Sequence, residues 1–106
     1  MTTLPATIPG LLRRGCTVVG FGDRGVVVSV YDDGRAAVSW SGGDTDWRCP
    51  TAALRLDLTD PLTQPAVWLW LEQHDGAQAA IAEYDGDPRT PEGLRDVVLS
   101  LAEPAR

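Results

Sequence analysis

The sequence predicts a mainly β fold of the α+β type: a small five-stranded antiparallel barrel, then a β-hairpin and a C-terminal helix. Three observations predict it. Between Gly15 and Leu56, short β-branched runs alternate with glycine turns, the spacing of a small antiparallel barrel. Asp75-Gly76 separates two apolar runs, a short-range hairpin signal. Thr90-Pro91-Glu92 opens a segment in which Leu94, Val97, Val98 and Leu101 fall on one helical stripe, with a capping residue, an N-terminal proline and an early acid in the expected places.

Taken in order, Thr2 to Pro9 reads as an extended, mobile lead. A first strand is expected over about residues 16–20 and a β-branched second strand over about 25–31, central in the sheet. Asp32-Asp33-Gly34 makes a turn into a third strand at about 35–40, since Asp and Gly tolerate positive φ. Ser41-Gly42-Gly43-Asp44 leads to a short fourth strand, Asp46 to Cys49. Pro50 to Ala53 reads as a single helical turn, and Leu54-Arg55-Leu56 as the closing strand.

Residues Gly15, Val18, Gly25, Val27, Val30, Val38, Trp40, Gly43, Trp47, Leu54 and Leu56 together resemble an SH3-like barrel of the Tudor type over about residues 14–58. The resemblance implies an interaction module. Tudor members bind methylated Lys or Arg in an aromatic cage by cation–π contact. Here Phe21, Trp40 and Trp47 fall where cage residues would sit, whereas Gly25 and Val26 stand where a cage Tyr is expected. The bland alternative makes Trp40 core and Trp47 a seal on the barrel end.

These signals divide the chain into a barrel with its lead (1–58), a Pro-containing linker (59–65) and a hairpin–helix extension (66–106) packed on the barrel as one unit. In the hairpin reading Trp68, Trp70, Glu72 and His74 share one strand face. The Ala-rich run 77–84 also carries a helical reading.

Composition narrows the function. The chain has 106 residues and a net charge of −6. Residues 1–58 are neutral; residues 59–106 carry three Arg against nine acids, the whole net charge. Such an acidic chain lacks the electrostatic footprint of a phosphate binder, which disfavours nucleic acid. A weak nucleic-acid-binding barrel would have to use Arg13, Arg14, Arg24, Arg35 and Arg48. No apolar run is long enough to span a membrane and no leader peptide is read, so a cytoplasmic location is expected. Cys16 and Cys49 read as reduced thiols. Lys and Asn are both absent, which suggests a GC-rich genome.

No catalytic, metal or cofactor constellation emerges. His74 is the only histidine and flanks a turn. Gly20-Phe21-Gly22-Asp23-Arg24-Gly25 spells a dinucleotide fingerprint but lies between two strands, without the helix that binds a pyrophosphate. Asp44-Thr45-Asp46 and Asp85-Gly86-Asp87 read as turn acids. The expectation is a non-enzymatic protein-interaction module, with Trp68, Trp70, Phe21 and Trp47 as partner-binding residues and no cofactor. The alternative is an acidic inhibitor or nucleic-acid mimic of phage or mobile-element type. A homodimer paired along the hairpin edge is a further expectation.

Overall fold

The computed structural model describes residues 2–102. Strands β1 (Thr3–Pro5), β2 (Thr17–Gly20), β3 (Asp23–Val30), β4 (Arg35–Trp40), β5 (Thr45–Pro50) and β6 (Arg55–Asp57) form one antiparallel sheet. Helices α1 (Gln64–Glu72), α2 (Ala77–Glu83) and α3 (Pro91–Ala102) follow. Strand order is β1-β6-β2-β3-β4-β5.

The sheet is open, which corrects the barrel and the SH3-like, Tudor-type resemblance. A barrel closes only if its outermost strands hydrogen-bond to each other. Here β1 and β5 are the two edges and do not pair. The supposedly mobile lead supplies the additional strand: Leu4 lies opposite Leu56 and is fully buried. Three residues are too few to show an alternating pattern, so β1 left no trace in the sequence.

The hairpin is also corrected. Residues 66–84 form two helices joined at Gly76, whose φ of 84° makes the turn. Asp-Gly signals a positive φ, which helix–helix turns use as readily as hairpins do. Pro65 sits in the first turn of α1, where its missing N–H costs nothing. Leu, Gln and Ala then favour helix locally.

One core joins Val18, Val27, Val38 and Leu56 of the sheet to Val67, Trp70 and Leu71 of α1 and Leu94, Val97 and Val98 of α3. Helix α3 begins as the sequence indicates, with the Thr90 hydroxyl accepting the Gly93 N–H at 3.0 Å. Pro104, expected to end it, lies outside the described residues.

Of the segment read as linker, 59–65, residues 59–63 form a packed corner with Asp57. The Thr63 hydroxyl accepts the Thr17 N–H at 3.1 Å, pinning the start of α1 to β2. Asp57, fully buried, pairs with the Arg24 guanidinium and accepts the Thr59 N–H at 3.0 Å. Asp60 accepts from the Leu62 N–H at 2.9 Å, the Thr17 hydroxyl at 2.9 Å and Arg24 at 3.2 Å. The Leu62 N–H is the largest of the influences that hold its carboxyl below the ordinary aspartate value.

Candidate functional site

Gly20 pairs with Asp23 across the β2–β3 hairpin, leaving a two-residue loop of Phe21 and Gly22. Their φ values are 53° and 74°. Two positive φ angles in a two-residue loop mark a type I′ turn, whose usual occupants are Asn-Gly or Asp-Gly. Phe21 thus occupies backbone that a bulky L residue adopts at a cost. It is 72% exposed, so the apolar ring gains little burial in return.

The ring is held from one side. Phe21 meets Trp40 edge-on, with ring centroids 6.1 Å apart and planes at 80°, a favourable aromatic geometry. Trp40 lies over glycine: a Cβ on Gly25 would stand 2.9 Å from Trp40 Cε3 and 2.6 Å from Val38 Cγ1. One on Gly20 would stand 3.5 Å from Trp40 Cη2 and 2.8 Å from the Ala53 carbonyl. Gly25 therefore makes room for the indole that buttresses Phe21, while Gly20 makes room for the Ala53 carbonyl beside it.

Asp23 fastens the base of the hairpin, accepting from the Ser41 hydroxyl and from the Arg24 N–H. These bonds, the Ser41 hydroxyl first, hold its carboxyl below the ordinary value. Beside the tip lies a cleft of about 620 Å³ lined by Val19, Gly22, Asp23, Arg24, Ala53 and Arg55. The Arg55 Nε–H donates to the Thr3 hydroxyl at 2.7 Å, so its guanidinium is fixed at the rim.

The other expected partner-binding residues are scattered. Trp47 is 62% exposed on β5 and makes no ring contact among the described residues. It lies in a β-bulge, where Trp47 and Arg48 of β5 together oppose the single residue Ala37 of β4. There the Asp46 carboxylate accepts the Arg48 N–H at 3.1 Å. A bulge, the charged side chains of Asp46 and Arg48 and a terminal Pro50 blunt that edge. Trp70 is only 7% exposed; its Nε1–H donates to the Pro9 carbonyl at 2.9 Å and its ring stacks on His74 at 4.5 Å. Trp68 lies half-buried in a cleft between α1 and α2. Two residues apart on a strand share a face; on a helix they stand about 200° apart. The change from hairpin to helix therefore sends one tryptophan to the core and the other toward solvent, and removes the hairpin edge on which dimer pairing was expected.

Two of the five arginines that a nucleic-acid surface would use are already engaged. Arg24 is committed to Asp57 and Asp60, and the Arg13 guanidinium donates to Gln73 at 3.2 Å. Asp46 and Asp87 accept backbone N–H groups two residues on, which is turn chemistry. Cys16 and Cys49 are unpaired and buried, and burial pushes both thiols up. Among the described residues no group of three or more His, Cys, Asp or Glu gathers to hold a metal.

Trp40 as the buttress, and Gly25 beneath it, were not recognised from sequence. The usable signal was Phe-Gly standing where a two-residue hairpin calls for Asn-Gly. Comparison with known proteins adds no relative: no family model, no curated protein and no solved structure matches the chain.

Proposed function

We propose that this chain is a non-enzymatic protein-interaction module that offers the tip of the β2–β3 hairpin to a protein partner. One observation carries the reading: Phe21 sits at φ 53° and 72% exposed, a residue and a conformation that serve the fold poorly together. Backbone strain of this kind concentrates where ligands are clamped. Aromatic side chains, Phe among them, are enriched at the cores of interfaces, where a few anchors carry most of the binding energy. Trp40 holds the ring from one side, which lowers the entropy lost on docking. The adjoining cleft with Arg55 at its rim gives the apolar anchor a polar border, as interfaces have.

Further support comes from what the polar groups are doing. His74 makes no side-chain hydrogen bond among the described residues and is stacked on Trp70, so no base is poised beside a nucleophile. The two buried thiols are unpaired, which suits a reducing compartment, and the reading places the protein in the cytoplasm. Among the described residues no helix is long and apolar enough to cross a membrane.

The test is affinity capture from host extract with wild type and Phe21→Asn. Asn is chosen because it fits the turn. A protein retained by wild type and lost by the folded variant supports the reading. Equal retention by both variants contradicts it.

A further inference from the structure

Helix α1 is apolar around its whole circumference from Ala66 to Leu71. A helix of that kind belongs in an interior on all sides. Yet Leu69 is 43% exposed and Trp68 only half-buried. Between α1 and α2 lies a cleft of about 590 Å³ with Trp68, Leu71, Ala77 and Ile81 among its walls. Glu72 and Asp75 also line it, and neither has an ion-pair partner among the described residues. They belong to the half of the chain that carries the entire net charge. An apolar floor beside uncompensated carboxylates complements an apolar stripe flanked by positive charge.

We propose that the α1–α2 cleft docks a basic amphipathic helix of a partner protein. An apolar anchor seats between Trp68 and Ile81, and Lys or Arg side chains pair with Glu72 and Asp75. The cleft opens to solvent, so a small molecule would leave much of its surface wet, whereas well-bound small molecules bury most of theirs. A helix laid across the opening covers the apolar floor. It also reaches the exposed Leu69, which stands one turn from Glu72. This face is separate from the Phe21 hairpin and stands whether or not that hairpin binds anything.

The probe is a synthetic amphipathic helix of Leu and Lys, titrated calorimetrically into the full chain. Its controls are the scrambled peptide and phenethylammonium. The expected result is one-to-one binding, weakened about tenfold or more by Ile81→Asp and by the pair Glu72→Lys/Asp75→Lys. The pair Asp32→Lys/Asp33→Lys, which adds the same charge in a turn far along the chain, leaves affinity within about twofold. Phe21→Asn leaves it unchanged. Because Ile81→Asp can unfold α2, the exposed Glu72/Asp75 pair decides the case on its own. Equal binding of the scrambled peptide, equal weakening by both charge reversals, displacement by phenethylammonium, or loss on Phe21→Asn would each overturn the assignment.

Discussion

Replacing Phe21 by Asn leaves the fold about as stable as wild type or slightly more so. Holding an L residue with a Cβ in the left-handed region costs about 1–2 kcal/mol, and Asn largely avoids that cost in a type I′ turn. Against this stands the edge-on contact with Trp40, whose centroid lies 6.1 Å away and which is worth about 0.5–1.5 kcal/mol. The ring is 72% exposed, so little transfer energy is lost with it. The two effects offset to within about 1 kcal/mol, whereas truncating a core Phe costs about 3–5 kcal/mol. Urea unfolding followed by far-ultraviolet circular dichroism measures the difference through its midpoint. A loss above about 2 kcal/mol would show that Phe21 is a structural residue, and the argument for its display would fail.

Trp70→Ala should destabilise by about 3–5 kcal/mol, because it empties a core site and orphans the Pro9 carbonyl. Trp70→Phe should recover most of that and lose about 1 kcal/mol for the hydrogen bond; the same urea assay reports both. Gly25→Ala should cost about 1–3 kcal/mol, since its Cβ would fall 2.6 Å from Val38 Cγ1, and near-ultraviolet circular dichroism should register the displaced Trp40. Stability should also depend on pH in a defined sense. The carboxyls of Asp23, Asp60 and Asp96, the last held down chiefly by the Tyr84 hydroxyl that donates to it at 2.9 Å, lie below their ordinary values, so their contribution is present above the unfolded pKa near 4 and lost as pH falls through the lower native values. The Cys16 and Cys49 thiols lie above theirs, so that contribution holds below about pH 8.5 and fades as pH rises through the raised values. Urea midpoints across pH should therefore form a plateau with losses at both ends; a rise toward pH 3 would contradict this.

The turns were more legible than the topology. Glycine and Asp-Gly signals at residues 20–25 and 32–34 mark the hairpins that join β2, β3 and β4. Their physical content, positive φ at Gly22 and Gly34, is local and so is written in local sequence. Sheet closure is not local. It depends on whether β1 and β5 meet, and nothing in a three-residue strand announces its partner. The segment 66–84 misled for a different reason. Residues 66–71 are apolar in every register, so strict alternation and helical spacing fit equally well there, and Asp75-Gly76 serves both a hairpin and a helix turn. Among the site residues, the sequence places Phe21 in a loop, whereas the exposure of Trp47 follows from the open edge at β5, which the expected barrel would not have. The separation of Trp68 from Trp70 followed only from the helix.

The most direct test of the central claim is the affinity of a purified captured partner for wild type and for Phe21→Asn, measured beside the stability of each. The account predicts binding weaker by about tenfold or more in a variant that unfolds at the same urea concentration as wild type. Unchanged affinity, or a loss that merely follows lost stability, would contradict it.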